Sequence, residues 1–239
     1  MTATPKPVSA AKAAAVFLFF TLYFFGLLHT LLPLLKANFR WHPALYWFVT
    51  GGFLFAPLLL FALWRAFREG NRGAAGILAA LHLRPLSRRD WAHAVAGLLA
   101  SFALSGAVFA AWALLSRHFG WRPLATTPWF MEMRPFLGAE KLLLLAWLPM
   151  FFFNIAGEEL LWRGYIQARL PGRNAWVLCS ALWLLFHLPF GPDLMLVLLP
   201  VVWVIPWVFQ RTRNTWSGVF IHALFNGPIF VAIALGWVK

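Results

Sequence analysis

Seven runs of mostly apolar residues, each near the length needed to cross a membrane, constrain this chain more than any other feature. They lie at about 14–35, 43–66, 91–116, 142–170, 174–190, 193–209 and 215–237. A helix rises ~1.5 Å per residue, so about 20 apolar residues cross the ~30 Å hydrocarbon core of a bilayer. Only helices and closed barrels satisfy their backbone polar groups there, and apolar runs of this length are helical. The expectation is an all-α polytopic integral membrane protein with about seven or eight transmembrane helices. Composition agrees: 62% of the 239 residues are hydrophobic and 11% charged, against about 45–50% and roughly 25% in soluble domains. Those figures exclude a soluble globular enzyme and a disordered chain.

The segment 73–83 (GAAGILAALHL) is too short to span and reads as interfacial or re-entrant. Twenty Lys and Arg face seven Asp and Glu, for a formal net charge of +13. Basic loops of a membrane protein set its topology and meet anionic headgroups, so membrane lipid is the expected partner. No basic run carries the interleaved aromatics of an RNA-binding module, and nucleic acid is not expected. With the N-terminus in the cytoplasm, the inner side receives Lys6, Lys12, Arg65, Arg68, Arg72, Arg84, Arg88, Arg89, Arg163, Arg169, Arg173, Arg211 and Arg213. The outer side receives Lys36, Arg40, Arg117, Arg122, Arg134, Lys141 and Lys239. The bias favours N-in, C-out with seven spans. The first run is too long for a signal-peptide core and lacks a small-residue cleavage site, so it reads as a signal anchor. The single cysteine, Cys179, excludes an intrachain disulfide and a multi-cysteine metal site. No repeat is visible. Residues 1–239 read as one membrane domain: N-terminal helices over 14–116, a proline-punctuated loop around 117–141, and a C-terminal helical core over 142–237.

Charge inside a span costs roughly 2.5–3.5 kcal/mol per residue on insertion scales, so each instance needs a reason. Glu158 and Glu159 stand side by side in FFFNIAGEELLWRGYIQARL. Glu159 lies one helical turn from Arg163, with which it can pair. Glu158 faces elsewhere, has Trp162 at i+4, and needs its own partner. A hairpin centred between residues 172 and 173, in the PGRN turn, places Glu158 level with His187 on the next helix. In the last span His222 and Asn226 share one face at i,i+4, ahead of Gly227 and Pro228. Three polar-punctured helices thus predict a small wet pocket holding Glu158, His187, His222 and Asn226. His29, His42, His82, His93 and His118 fall outside this constellation.

Hydrolysis is the chemistry such groups suit. A desolvated carboxylate is a better base near neutral pH, and with His187 it would polarise and deprotonate a water. His222 and Asn226 would donate to a developing oxyanion. Zinc is a competing reading, since Glu and His are common ligands, but HExxH is absent and no metal is expected. Ser217 and Cys179 lack a base at suitable spacing to serve as nucleophiles.

These residues resemble the CPBP family of intramembrane proteases, the CAAX-processing and bacteriocin-processing group that includes the type II CAAX prenyl endopeptidases. EExxxR is present as Glu158, Glu159 and Arg163; FxxxH is altered, with Trp183 in place of phenylalanine before His187; HxxxN is intact at His222 and Asn226. The resemblance covers about 150–230. It implies an intramembrane endopeptidase in which Glu158 and His187 activate water without a cofactor and His222 and Asn226 form the oxyanion hole. Glu159 and Arg163 would shape the site, and Trp183 would narrow the cavity beside His187. The resemblance also implies a peptide or protein substrate, lipidated or carrying a C-terminal tail. The compact length points to a bacterial cytoplasmic membrane. Two rivals share these residues: a non-proteolytic immunity or scaffold protein of the same fold, and a small transporter using Glu158 and His187 as a proton relay.

Overall fold

A computed structural model describes residues 6–237, and the helices it contains account for every regular element among them. Lys239, one of the basic residues assigned to the outer side, lies outside the described residues. Helix α1 (Ala10–His29) continues past Thr30 into α2 (Leu31–Asn38). There follow α3 (Pro43–Arg68), the short α4 (Gly73–Ala80), α5 (Arg88–Phe119), α6 (Leu143–Glu158), α7 (Ala175–Phe186), α8 (Pro192–Thr212) and α9 (Thr215–Ala234). Six stretches are long and apolar enough to cross a membrane, and α7 with the 3-10 turn Leu188–Phe190 forms a shorter apolar one. Helix α4 has eight residues, or ~12 Å of rise, and is too short to cross. The protein is an all-helical polytopic membrane protein, with its helices at the seven positions the hydropathy marked.

Helix α5 shows why the apolar surplus does not collect in the interior. Its buried residues are Asp90, Ala94, Gly97, Ser101 and Ser105, a stripe of small and polar side chains at steps of three and four. Its large residues point outward; Leu99 is 63% exposed and Leu114 67%. Small residues inside and large apolar ones outside is the packing expected where lipid is the solvent. The helix starts at a capping box, in which Ser87 Oγ accepts from the Asp90 amide and Asp90 Oδ2 accepts from the Ser87 amide.

Hydrogen bonds between segments show which ends lie together. The Val8 amide donates to Arg169 O, Thr215 N to His82 O, Arg213 to Ala168 O, and Asn214 Nδ2 to Arg84 O. One end of the bundle therefore collects the start of α1, the end of α3, and the turns before α5, α7 and α9. Among the basic residues expected inside, Arg163 alone is placed elsewhere, fully buried in the bundle. At the opposite end Lys36 pairs with Glu132, and Arg122 with Asp193.

Helices α3 and α6 pack closely because residue 157 is glycine: a Cβ there would lie 2.5 Å from Phe55 O. Beyond Glu158, α6 widens into a π-helical stretch, Glu159–Gln167, all nine residues of which are buried. A π-helix bonds i to i+5, so its coil is wider and it advances less per residue than an α-helix. This shortens the first arm of the hairpin and overturns the register expected from the sequence. Glu158 sits opposite Trp183, one turn nearer the hairpin, rather than directly opposite His187.

Candidate active site

Glu158 is 1% exposed and lies at the junction of α6 and the π-helical stretch. A buried carboxylate without partners would cost several kcal/mol, roughly, and here two donors meet it. Asn154 Nδ2 donates to Oε1 at 2.7 Å, from one turn earlier on α6. Trp183 Nε1 donates to Oε2 at 2.5 Å, from α7. Each carboxylate oxygen offers two lone pairs, so both remain able to bond a water.

His187 closes α7. Its Nδ1 lies 2.8 Å from Trp183 O. A carbonyl can only accept, so Nδ1 carries the proton, and in the neutral ring Nε2 is an acceptor. No hydrogen bond joins His187 to Glu158 among the described residues; Trp183 stands between them in sequence register and holds both. The expected Glu158–His187 contact is replaced by two side chains lining one cavity.

A second polar layer lies behind the first. Arg163 Nε is 3.3 Å from Glu159 Oε2, and both side chains are fully buried. The Glu159–Arg163 pair expected from i,i+4 spacing is present although the backbone there is π-helical. Glu159 Oε1 also meets His222 Nδ1 at 3.0 Å, from α9. Arg163 stacks its guanidinium 3.6 Å from the Trp183 ring centre. Trp183 is thus clamped between an arginine on its face and a carboxylate at its edge. Its indole N–H makes it a partner of Glu158, a more specific part than narrowing a cavity.

Glu158, His187, His222 and Asn226 all line one cavity of about 180 Å³, together with Asn154 and Trp183. At ~30 Å³ per water it has room for roughly six. Its remaining wall is apolar and aromatic, including Trp147, Phe151 and Phe190. Helix α9 continues through Pro228, which has no N–H to bond the Leu224 carbonyl. The four residues singled out by sequence therefore converge, as do the three beside them. Asn154 was missed, although it stands at i−4 to Glu158, the same spacing that linked His222 to Asn226. The Glu159–His222 bond was missed too, and no local spacing reveals a contact between residues 63 apart. Cys179 and Ser217 are buried and do not line the cavity. Among the described residues no three His, Cys, Asp or Glu side chains form a group able to hold a metal.

No curated protein and no solved structure matches the chain. Residues 140–227 match the family model for type II CAAX prenyl endopeptidases, Rce1-like. That stretch carries the whole constellation from Asn154 to Asn226. The match supports a CAAX-type membrane protease at the level of the family, and over these helices the chain is similar to that group, as its three motifs indicated.

Proposed function

We propose that the protein is an intramembrane endopeptidase that hydrolyses a peptide bond near the membrane surface with a water activated by Glu158. The observation that carries this reading is the placement of a buried, doubly anchored carboxylate in a cavity with room for several waters, shared with His187, His222 and Asn226. Glu158 takes a proton from the water, and the resulting hydroxide adds to the scissile carbonyl carbon. Negative charge moves to the carbonyl oxygen, where His222 and Asn226 donate. The C–N bond then breaks as the proton passes to the leaving amine, giving a carboxylate and an amine. His187, with Nε2 free to accept, orients the water.

The oxyanion part sets a condition on His222. Its Nδ1 is engaged by Glu159, so donation from Nε2 requires the imidazolium or a proton held by Glu159. Arg163 and Glu159 hold that ring in place; they are positioning residues. Trp183 and Asn154 do the same for Glu158. No cofactor enters this scheme. The C-terminal helices over 142–237 form its core, and the basic end of the bundle, with the start of α1, faces the cytoplasm of a bacterial inner membrane.

The test is cleavage by the purified protein of a membrane-peptide library that includes prenylated CaaX termini, with products read by mass spectrometry. Cleavage insensitive to phenanthroline supports the glutamate-activated water. Activity lost to chelator and restored by zinc would make Glu158 and the histidines ligands instead. Retained binding with no cleavage of any peptide would favour a non-proteolytic role.

A further inference from the structure

The cavity around Glu158 is not the largest concavity of the molecule. At the basic end, a pocket of about 750 Å³ opens between the start of α1, the end of α3, α4 and the end of the π-helical stretch. Lys6, Lys12, Arg65, Arg68 and Arg169 line it, with Glu69 as its acid. Glu69 is already engaged: Arg169 Nη2 lies 3.0 Å from Oε2, Arg65 Nη2 3.9 Å from Oε1, and the Tyr165 hydroxyl donates to Oε1 at 2.6 Å. Five cations against one occupied carboxylate leave the pocket strongly positive.

A separate apolar groove of about 460 Å³ lies farther along the same two helices, lined by Phe19, Tyr23, Pro57, Leu60, Phe61 and Trp64 among others. The stripes are continuous in sequence. On α1, Lys12 is followed by Phe19 and Tyr23 at steps of seven and four, which share a face. On α3, Arg68, Trp64, Leu60 and Pro57 recede from the basic end at steps of four, four and three. The groove is built and not a packing fault. Pro57 cannot donate to the Phe53 carbonyl, and the Tyr23 hydroxyl fills that vacancy at 2.9 Å. Leu60 is 63% exposed and Phe19 63%, so the groove faces lipid.

A cationic pocket set over an apolar groove has the polarity of one particular molecule. A free phosphate or a peptide carboxylate would match the pocket and leave the groove unused. We propose that the α1–α3 groove binds an anionic phospholipid, its phosphate among Lys12, Arg65 and Arg68 and one acyl chain along Phe19, Leu60 and Phe61. Arg65 Nε donates to the Tyr165 hydroxyl at 2.9 Å, and Tyr165 belongs to the helix that carries Glu158, so the lipid site meets that helix through Arg65.

The experiment is native mass spectrometry of the full chain in detergent, offered equimolar dioleoyl phosphatidylglycerol and dioleoyl phosphatidylcholine. One phosphatidylglycerol is retained per protein, in preference to phosphatidylcholine. Lys12→Gln with Arg68→Gln weakens that retention roughly thirtyfold, and Leu60→Trp, which fills the groove and leaves the charge, weakens it as well. Equal retention of the two lipids would overturn the proposal, as would unchanged retention in either folded variant. Inorganic phosphate is the third arm. If it displaces phosphatidylglycerol from wild type and protects Leu60→Trp and wild type equally against heat, the site takes a free anion and the acyl-chain groove is refuted.

Discussion

Replacing Gly218 by alanine tests the second polar layer without touching a charged residue. Gly218 lies on α9 one turn before His222, where a Cβ would collide with Glu159 Oε2 and stand 3.2 Å from Glu159 Cδ and 3.3 Å from Ile205 Cγ2. The carboxylate has nowhere to retreat: it is fully buried and held by Arg163 and His222. Overpacking of a core costs about 1–3 kcal/mol, and displacing the carboxylate leaves Arg163 short of its counter-charge, for which broken buried pairs cost about 3–5 kcal/mol. The two routes are alternatives rather than a sum, so a net loss of about 3 kcal/mol is expected. For a chain of this size that lowers Tm by roughly 6–12 °C. Thermal unfolding in detergent reads the shift, with Gly106→Ala as the control. Nothing lies within 4 Å of a Cβ at Gly106, so that change stays within about 1 kcal/mol in favour of alanine. If Gly218→Ala unfolds within a degree or two of wild type, Glu159 is not fixed, and its bond to His222 does not position the ring.

Trp183→Phe keeps an aromatic ring over Arg163 and removes the donor to Glu158 Oε2; a charge-assisted bond of about 1.5–3 kcal/mol is lost, and turnover falls by about 10- to 150-fold, while unchanged turnover would show that the indole only fills space. His222→Ala and Asn226→Ala each lower kcat by about 10²–10³ with little change in KM, and a change confined to KM would place them in substrate binding instead. His82, in the loop between α4 and α5, has its pKa lowered from 6.5 to about 4, mainly by burial and then by the charges of Arg213 and Arg169. Between those values the unfolded chain holds a proton that the folded one refuses, so stability is lost as pH falls from 6.5 towards 4. His82→Asn, which suits the positive φ of 56° there, flattens that fall in Tm; parallel curves for the two proteins would refute it.

Much of the architecture was legible because the bilayer imposes a length on each helix and a cost on each buried charge. The apolar runs located the spans, and the cost of burying charged and polar groups in lipid singled out Glu158, Glu159, Arg163, His187, His222 and Asn226. Local spacing foretold the Glu159–Arg163 pair. The cross-chain register failed, because it assumed α-helical rise through Glu159–Gln167, where the backbone is π-helical. Nothing in ELLWRGYIQ announces that change, which depends on all nine residues being enclosed by neighbouring helices. The part played by Trp183 was hidden for a related reason. As a departure from the phenylalanine of the motif it reads as bulk, whereas its N–H acquires meaning only when Glu158 lies opposite. Asn154 was within reach of the i,i+4 rule.

The most direct measurement is single-turnover cleavage by Glu158→Gln beside wild type, once a cleaved peptide is in hand. The variant keeps the shape of the site: Gln Oε1 can accept from Trp183, and the Asn154 amide can turn so that its oxygen accepts from Gln Nε2. Helix content and Tm therefore stay near wild type while the proposed general base is gone. The rate of the chemical step falls by about 10²–10⁴. Near-wild-type cleavage by folded Glu158→Gln would contradict the assignment of Glu158 as the base and move that task to His187.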